Sequence, residues 1–187
     1  MNMKVLTLNK PNITDFAYER NKLLEKVKKG EWVIFIDSDE KIGNIQVPDN
    51  NLMEGYKLIR KNYFLGQYVG TDKIIRLVKK GSGKWIRSVH ETWKPKSIDS
   101  VGIIKTPVII HNTADNLSTY LNKIDNYSTI HARENKKECK KSNLFKIIFF
   151  PIAKFILTLI KSKSIVFSIM QSLHSYLSWA KLYLQAF

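Results

Sequence analysis

In Gly30-Glu31-Trp32-Val33-Ile34-Phe35-Ile36-Asp37-Ser38-Asp39-Glu40 an apolar run ends abruptly in carboxylates. Trp32 to Ile36 is too short for a free-standing helix and is rich in β-branched and aromatic residues. It reads as a strand buried on both faces, the kind found in a parallel sheet. Asp37, Asp39 and Glu40 follow at its C-terminal end, which is where open α/β sheets bind ligands. Two carboxylates spaced i, i+2 at a strand exit can converge on one hard cation, and Mg²⁺ or Mn²⁺ would bridge them to a diphosphate. That chemistry suits a nucleotide-sugar. Taken alone, Asp-Ser-Asp is also ordinary turn chemistry.

Outward from this stretch, residues 4–8 read as a short strand. A helix is predicted from Thr14 or Asp15 to Lys29, closed by Gly30 at the C′ position. Downstream, residues 55–61 and 73–79 alternate as strands, and Gly81-Ser82-Gly83 marks a turn. Trp85 to Trp93 carries His90 and Glu91, residues 101–111 read as one more strand pair, and the chain turns helical from Ser118.

The 187 residues allow one domain, or one domain with an appendage. An apolar fraction of 44% is ample for a core. The 31 Lys and Arg outweigh 16 Asp and Glu to give a net charge of +15, which calls for an anionic partner: nucleic acid, an anionic membrane surface or a phosphorylated substrate. The single cysteine, Cys139, excludes an internal disulfide and a cysteine-built zinc site. The first residues carry no long apolar segment, so no signal peptide is expected and the catalytic part is assigned to the cytoplasm.

The last third changes character. Residues 144–160 are strongly apolar yet interrupted by Lys146, Pro151 and Lys154, and they fall short of the roughly 20 apolar residues a membrane-spanning helix needs. Wound at 100° per residue, the lysines gather on one stripe. Residues 165–187 divide more evenly into polar and apolar halves. Both segments are expected to lie as helices in the plane of a membrane, apolar face down and lysines at head-group level. Packing on the rest of the chain, or on each other, is the alternative.

Arg20-Asn21 together with the stretch from Gly30 to Glu40 resembles the inverting family 2 glycosyltransferases of the GT-A fold. Within them it is most similar to the branch of lipopolysaccharide-core β-glycosyltransferases. Arg60-Lys61-Asn62-Tyr63-Phe64-Leu65-Gly66, Ile75-Arg76-Leu77, Val89-His90-Glu91, His111 and Tyr120-Leu121-Asn122-Lys123-Ile124-Asp125-Asn126-Tyr127-Ser128 continue the resemblance in order, over about residues 18 to 130. The fold so implied is α/β: a GT-A-like mixed sheet of the nucleotide-diphospho-sugar transferases over residues 1–130, then a basic linker and amphipathic helices over 131–187 that match the membrane-associating tail of the branch. The family's domain ordinarily opens with two βα units that bind the nucleobase and ribose. The residues ahead of the apolar strand are too few for both, so the chain is expected to be an N-terminally truncated GT-A domain, lacking about 70 residues by typical unit lengths.

The resemblance also implies roles. Asp37 and Asp39 would hold the divalent metal, Mg²⁺ or Mn²⁺, and the sugar-diphosphate. Glu40 would support that shell or contact the donor sugar, unless it is a solvated loop carboxylate. Arg20 would reach the nucleotide, with a surface arginine as the plain alternative. Glu91 is the candidate general base, since inverting transfer needs a carboxylate to take the acceptor hydroxyl's proton during in-line attack. His90 would orient it or line the acceptor pocket. His111 could add a nitrogen ligand to the metal or contact the diphosphate, or be structural. Arg76, Arg87 and Lys123 are unspecific phosphate or acceptor contacts. Trp85 and Trp93 could stack on a sugar ring, though core packing is the commoner fate.

The expected activity is transfer of a sugar from a nucleotide-sugar donor to a lipid-linked or cell-envelope glycan acceptor, peripherally at the cytoplasmic face of the membrane. The alternative is a truncated, non-catalytic membrane-associated remnant or partner subunit. Nucleic acid is set aside as a partner, because no binding motif accompanies the charge.

Overall fold

In a computed structural model, residues 3–10, 13–48, 52–88, 91–97 and 100–185 are described. Val89 and His90 lie outside the described residues. The chain folds as two compact units, one of residues 1–62 and 71–111, the other of residues 63–70 and 112–187. Unit 2 thus groups everything from residue 112 onward with the tip of a hairpin.

Among the described residues, eight strands and four helices follow in the order β1 (Met3–Leu8), α1 (Phe16–Glu25), β2 (Trp32–Asp37), β3 (Glu40–Lys41), β4 (Gly55–Phe64), β5 (Gln67–Lys79), β6 (Gly83–Ile86), β7 (Thr92–Pro95), β8 (Val101–Ala114), α2 (Leu117–Lys137), α3 (Leu144–Ser162) and α4 (Ile165–Leu184). Six strands form one sheet in the order β1-β2-β5-β4-β8-β3, and β6 pairs with β7. The sheet is mixed: β2 runs parallel to β1, with Leu8 opposite Asp37, and antiparallel to β5, with Ile34 opposite Leu77.

The apolar run forms the expected strand, and its alternation builds two cores. Val33 and Phe35 face Ala17, Leu24, Val78, Trp85 and Trp93. Trp32, Ile34 and Ile36 face Tyr56, Leu58, Leu77, Ile104 and Ile109. Side chains alternate across a strand, so burying both sets requires cover on both faces.

Three boundaries differ from the sequence reading. Helix α1 begins where expected, with the Asp15 carboxylate accepting from Tyr18 N at 2.8 Å, but it ends at Glu25. Stopping there drops Val27 into the core beside Leu24. Gly30 caps no helix. It takes φ +88° in the turn entering β2, where its N–H donates to Lys80 O at 3.0 Å. Residues 55–79 form a longer hairpin than the alternation suggested, closed by Leu65-Gly66 with φ of 49° and 77°. Two consecutive positive φ values are what a two-residue hairpin turn needs to match strand twist. Finally, residues 101–111 lie in one strand, β8, rather than a pair; no glycine-rich turn divides them, and Pro107 is carried within the strand.

In unit 2, Phe64, Val69, Tyr120 and Ile124 pack with Phe167, Met170, Leu173 and Leu177. Gln171 Nε2 donates to the Tyr120 hydroxyl at 2.8 Å, and Lys181 Nζ reaches Asp125 Oδ1 at 2.6 Å. These contacts fix α4 against α2. No helix of the described residues is long and apolar enough to cross a membrane.

Candidate active site

Strand β2 delivers Asp37 to the end of the sheet, and a tight turn returns the chain as β3. Glu40 holds that turn closed: its Oε2 accepts from Asp37 N at 3.2 Å. Pairing of β3 with β8 sets Glu40 opposite His111. One residue before Leu77, where β2 and β5 are still in register, Arg76 points its guanidinium at the same turn.

An ion-pair network results. Arg76 Nη2 donates to Glu40 Oε1 at 2.7 Å and to Asp37 Oδ2, and its Nη1 lies 3.6 Å from Glu91 Oε1. Arg20, on α1, donates through Nη2 to Asp37 Oδ1 at 2.8 Å and through Nε to Glu91 Oε1 at 3.1 Å. Arg60, on β4, bridges Glu40 Oε1 at 3.0 Å and both Asp72 oxygens, at 3.0 and 2.7 Å. Asn21 keeps α1 in place by exchanging two hydrogen bonds with the Trp85 backbone, at 2.9 and 3.0 Å.

Arg20 is 0% exposed, its guanidinium 5.3 Å from the ring centroids of Phe35 and Trp85. Its Nη1 has no hydrogen-bond partner among the described residues. Arg20 is therefore not the surface arginine offered as the plain alternative; among the described residues its contacts are to Asp37 and Glu91. Glu40 is buried as well, so it is not a solvated loop carboxylate. Burial alone would raise its pKa, but the Arg76 charge and hydrogen bond outweigh burial and hold the carboxyl below its ordinary range. For Arg76, burial favours the neutral form, and the charges of Asp37 and Glu40 overcome it and drive its pKa up. Both groups are therefore charged, and each explains the other.

Glu91 sits within reach of the turn, and among the described residues its Oε1 takes the ion-pair contacts from Arg20 and Arg76. Beside the network, His111 Nε2 lies 3.4 Å from Asp39 Oδ2, and His111 Nδ1 lies 2.7 Å from Asn62 Oδ1. The structure thus brings Arg20, Asp37, Asp39, Glu40, Glu91 and His111 into unit 1; His90 is outside the described residues. Trp85 and Trp93 are buried opposite each other across β6 and β7, their rings 5.5 Å apart, and belong to the core.

A divalent ion would find carboxylates in excess, since Arg20, Arg60 and Arg76 face Asp37, Glu40, Asp72 and Glu91, with Asp39 adjoining. Among the described residues no three His, Cys, Asp or Glu side chains are gathered as a ready-made metal cage. Asp37 has guanidinium hydrogens on both oxygens. Asp39 and His111, with Oδ2 and Nε2 3.4 Å apart, are the pair that fits, offering one oxygen and one nitrogen donor. Mn²⁺ accepts this mixed pair readily, and such ions take one or two protein ligands and complete their shell with water and substrate phosphate.

Sequence reasoning named Arg76 only as an unspecific contact and gave Arg60, Asp72 and Asn62 no role. Arg60 and Asp72 lie at nearly equal distances on either side of Leu65-Gly66, a signal that becomes usable once that hairpin turn is recognised.

No family model matches the chain. The chain is similar to the lipopolysaccharide core biosynthesis glycosyltransferase LpsC of Rhizobium meliloti, with 24% identity over 155 residues, covering 75% of this chain and 56% of that protein. The chain therefore spans just over half the length of that relative. It is a mixed α/β protein with a distant glycosyltransferase relative.

Proposed function

We propose that this chain is a family 2 glycosyltransferase of GT-A type that moves a sugar from a nucleotide-sugar donor to a lipid-linked or cell-envelope glycan acceptor. The observation that carries this reading is the convergence on one turn of a candidate metal pair, Asp39 and His111, and a candidate base, Glu91, through the arginines that also hold Asp37. Mg²⁺ or Mn²⁺ at Asp39 and His111 would neutralise charge on the departing nucleoside diphosphate.

Glu91 takes the acceptor's proton. Its Oε1 is fixed by Arg20 and Arg76, which leaves Oε2 as the atom to accept it. As the acceptor oxygen bonds to the anomeric carbon, the carbon–phosphate-oxygen bond breaks on the opposite face with inversion. The hydroxyl proton passes to Glu91, and the bonding pair leaves with the diphosphate. Arg20 and Arg76 keep Asp37 and Glu91 in fixed relation.

The acceptor reading places the chain peripherally on the cytoplasmic face of a membrane. In unit 2 the burial pattern of α3 is inverted: its buried residues are Pro151 and Ser162, whereas Phe145, Ile148, Phe149, Ile152, Leu157 and Ile160 are each more than half exposed. From Cys139 to Phe187 the chain carries seven lysines and no Asp or Glu. An apolar face with lysines along the segment, of which Lys140 and Lys181 pair with Glu138 and Asp125, matches an anionic leaflet.

A second reading, a non-catalytic membrane-associated partner, is favoured by one feature: arginine-held carboxylates also occur in purely structural networks. Donor hydrolysis in the presence of Mn²⁺ separates the two. The enzyme reading expects turnover that Asp39→Ala abolishes and that Glu91→Gln lowers by about 10²–10⁴-fold with donor binding retained. Neither binding nor turnover by the wild-type chain would leave the partner reading standing.

A further inference from the structure

We propose that Asn62 is a positioning residue that holds His111 as its Nδ1–H tautomer, so that Nε2 is the ring's ligating atom for a divalent cation shared with Asp39. The proposal rests on the metal reading above and adds a residue to which neither the resemblance nor the network assigns a task.

The geometry around the imidazole carries it. Asn62 Oδ1 lies 2.7 Å from Nδ1, hydrogen-bond distance to an acceptor that has no proton of its own. Nδ1 must therefore donate. On the opposite side of the ring, Nε2 faces Asp39 Oδ2 at 3.4 Å. With Nδ1 donating to Asn62, Nε2 is the ring nitrogen left to ligate, and a cation between it and Asp39 Oδ2 would take nitrogen and oxygen as its first two ligands. Metal-bound histidines ordinarily donate their other N–H to an oxygen that fixes tautomer and ring plane, and Asn62 occupies that place.

The backbone explains why the pair meets. Arg60 and Asn62 are alternate residues of β4 and so share one face of the strand. Glu40 and His111 are direct partners across β3 and β8. One face of β4 thus supports both members of that pair, with Arg60 on Glu40 and Asn62 on His111. The chemistry differs in a telling way. Glu40 receives a charge that cancels its own, whereas His111 receives a neutral amide oxygen. A carboxylate at position 62 would favour the imidazolium, which has no lone pair for a metal; the amide orients the ring without adding charge.

The test uses the full chain with ¹⁵N-labelled histidine at pH 8, where an unperturbed imidazole is neutral, with His111→Gln to assign the resonances. Metal-free wild type is expected to show a protonated Nδ1 and an unprotonated Nε2 at His111, and to bind Mn²⁺ by loss of the free-ion electron-spin signal. Asn62→Ala is expected to mix the tautomers and to weaken Mn²⁺ binding about 10–100-fold. Asn62→Asp keeps an acceptor in the same place but adds a charge that favours the imidazolium; it is expected to keep Nδ1 protonated while recovering less of the Mn²⁺ affinity than wild type, and it serves as the folded control should the alanine variant fail to fold. An Nε2–H ring in the wild type, no Mn²⁺ binding by the wild type, or an alanine variant with unchanged tautomer and affinity would each overturn the proposal. Mn²⁺ binding that depends on Asn62, in a chain that neither binds nor hydrolyses any nucleotide-sugar, would instead retain the proposal and remove the transferase reading.

Discussion

Arg76 meets three carboxylates at once, Asp37, Glu40 and Glu91, from the buried end of β5. Removing a partner from a buried ion pair leaves uncompensated charge in a poorly solvated place, so Arg76→Leu is expected to cost about 3–5 kcal/mol in urea unfolding. Arg76→Lys should recover little of it, because a single ammonium cannot reproduce a fork whose Nη2 serves Asp37 and Glu40 while Nη1 reaches Glu91. Glu40 gives the network a pH signature. Its folded pKa lies below the ordinary carboxylate value, so its contribution to stability is complete above about pH 4.3 and is lost as pH falls through the folded value. Thermal melts from pH 7 to pH 3 should therefore show a steeper acid loss in the wild type than in Glu40→Gln. At this scale the carboxylates were legible, because Asp37, Asp39 and Glu40 arrive together after an apolar run. Arg76 and Arg60 were not, because an isolated arginine in a strand looks the same in sequence whether it faces solvent or three carboxylates.

The elements sort by the strength of their local signal. Strand β2 could be read directly, since five consecutive buried apolar residues admit few alternatives. The end of α1 could not: residues 26–29 continue a helical composition, and only the place waiting for Val27 in the core ends the helix early. Strand β8 was read as a pair, yet the chain carries Pro107 within a single strand, a position propensity alone does not favour. Helix α3 shows the opposite case, legible in composition but not in what it packs against. A small polar residue serves the helix contact: Ser172 Oγ, on α4, donates to Pro151 O at 2.9 Å, while Ser162 Oγ bonds back within α3 to Thr158 O at 2.8 Å. Its large apolar side chains point away from that contact. Phe149→Glu with Ile156→Glu should leave the fold intact, since both residues are about half exposed, yet weaken binding to vesicles containing anionic lipid by at least tenfold. Flotation assays read this; unchanged flotation of the variant would remove α3 from the membrane contact.

Across the whole molecule, charge and burial are distributed unevenly. The net +15 belongs to a chain whose unit 1 surrounds its arginines with carboxylates and whose unit 2 sets lysines along exposed apolar helices. An electrostatic contribution to vesicle binding weakens as the Debye length shrinks from about 10 Å at 0.1 M salt to 3 Å at 1 M. Vesicle binding should accordingly fall with salt on anionic lipid and be weak at any salt on zwitterionic lipid; salt-sensitive binding to DNA of equal strength would favour the nucleic-acid reading instead. The sequence by itself determined the strand that anchors the sheet, the carboxylate turn at its end and the amphipathic character of the last third. These follow from local rules, namely periodicity, strand length and the abrupt change from an apolar run to carboxylates. Only the tertiary structure decided that Arg20 serves Asp37 and Glu91, that Glu40 is buried between Arg60 and Arg76, and that Asn62 stands behind His111. Each of those contacts joins residues 17 to 71 positions apart. Such pairings are set by strand order and register, which the pattern of single residues along the chain does not encode.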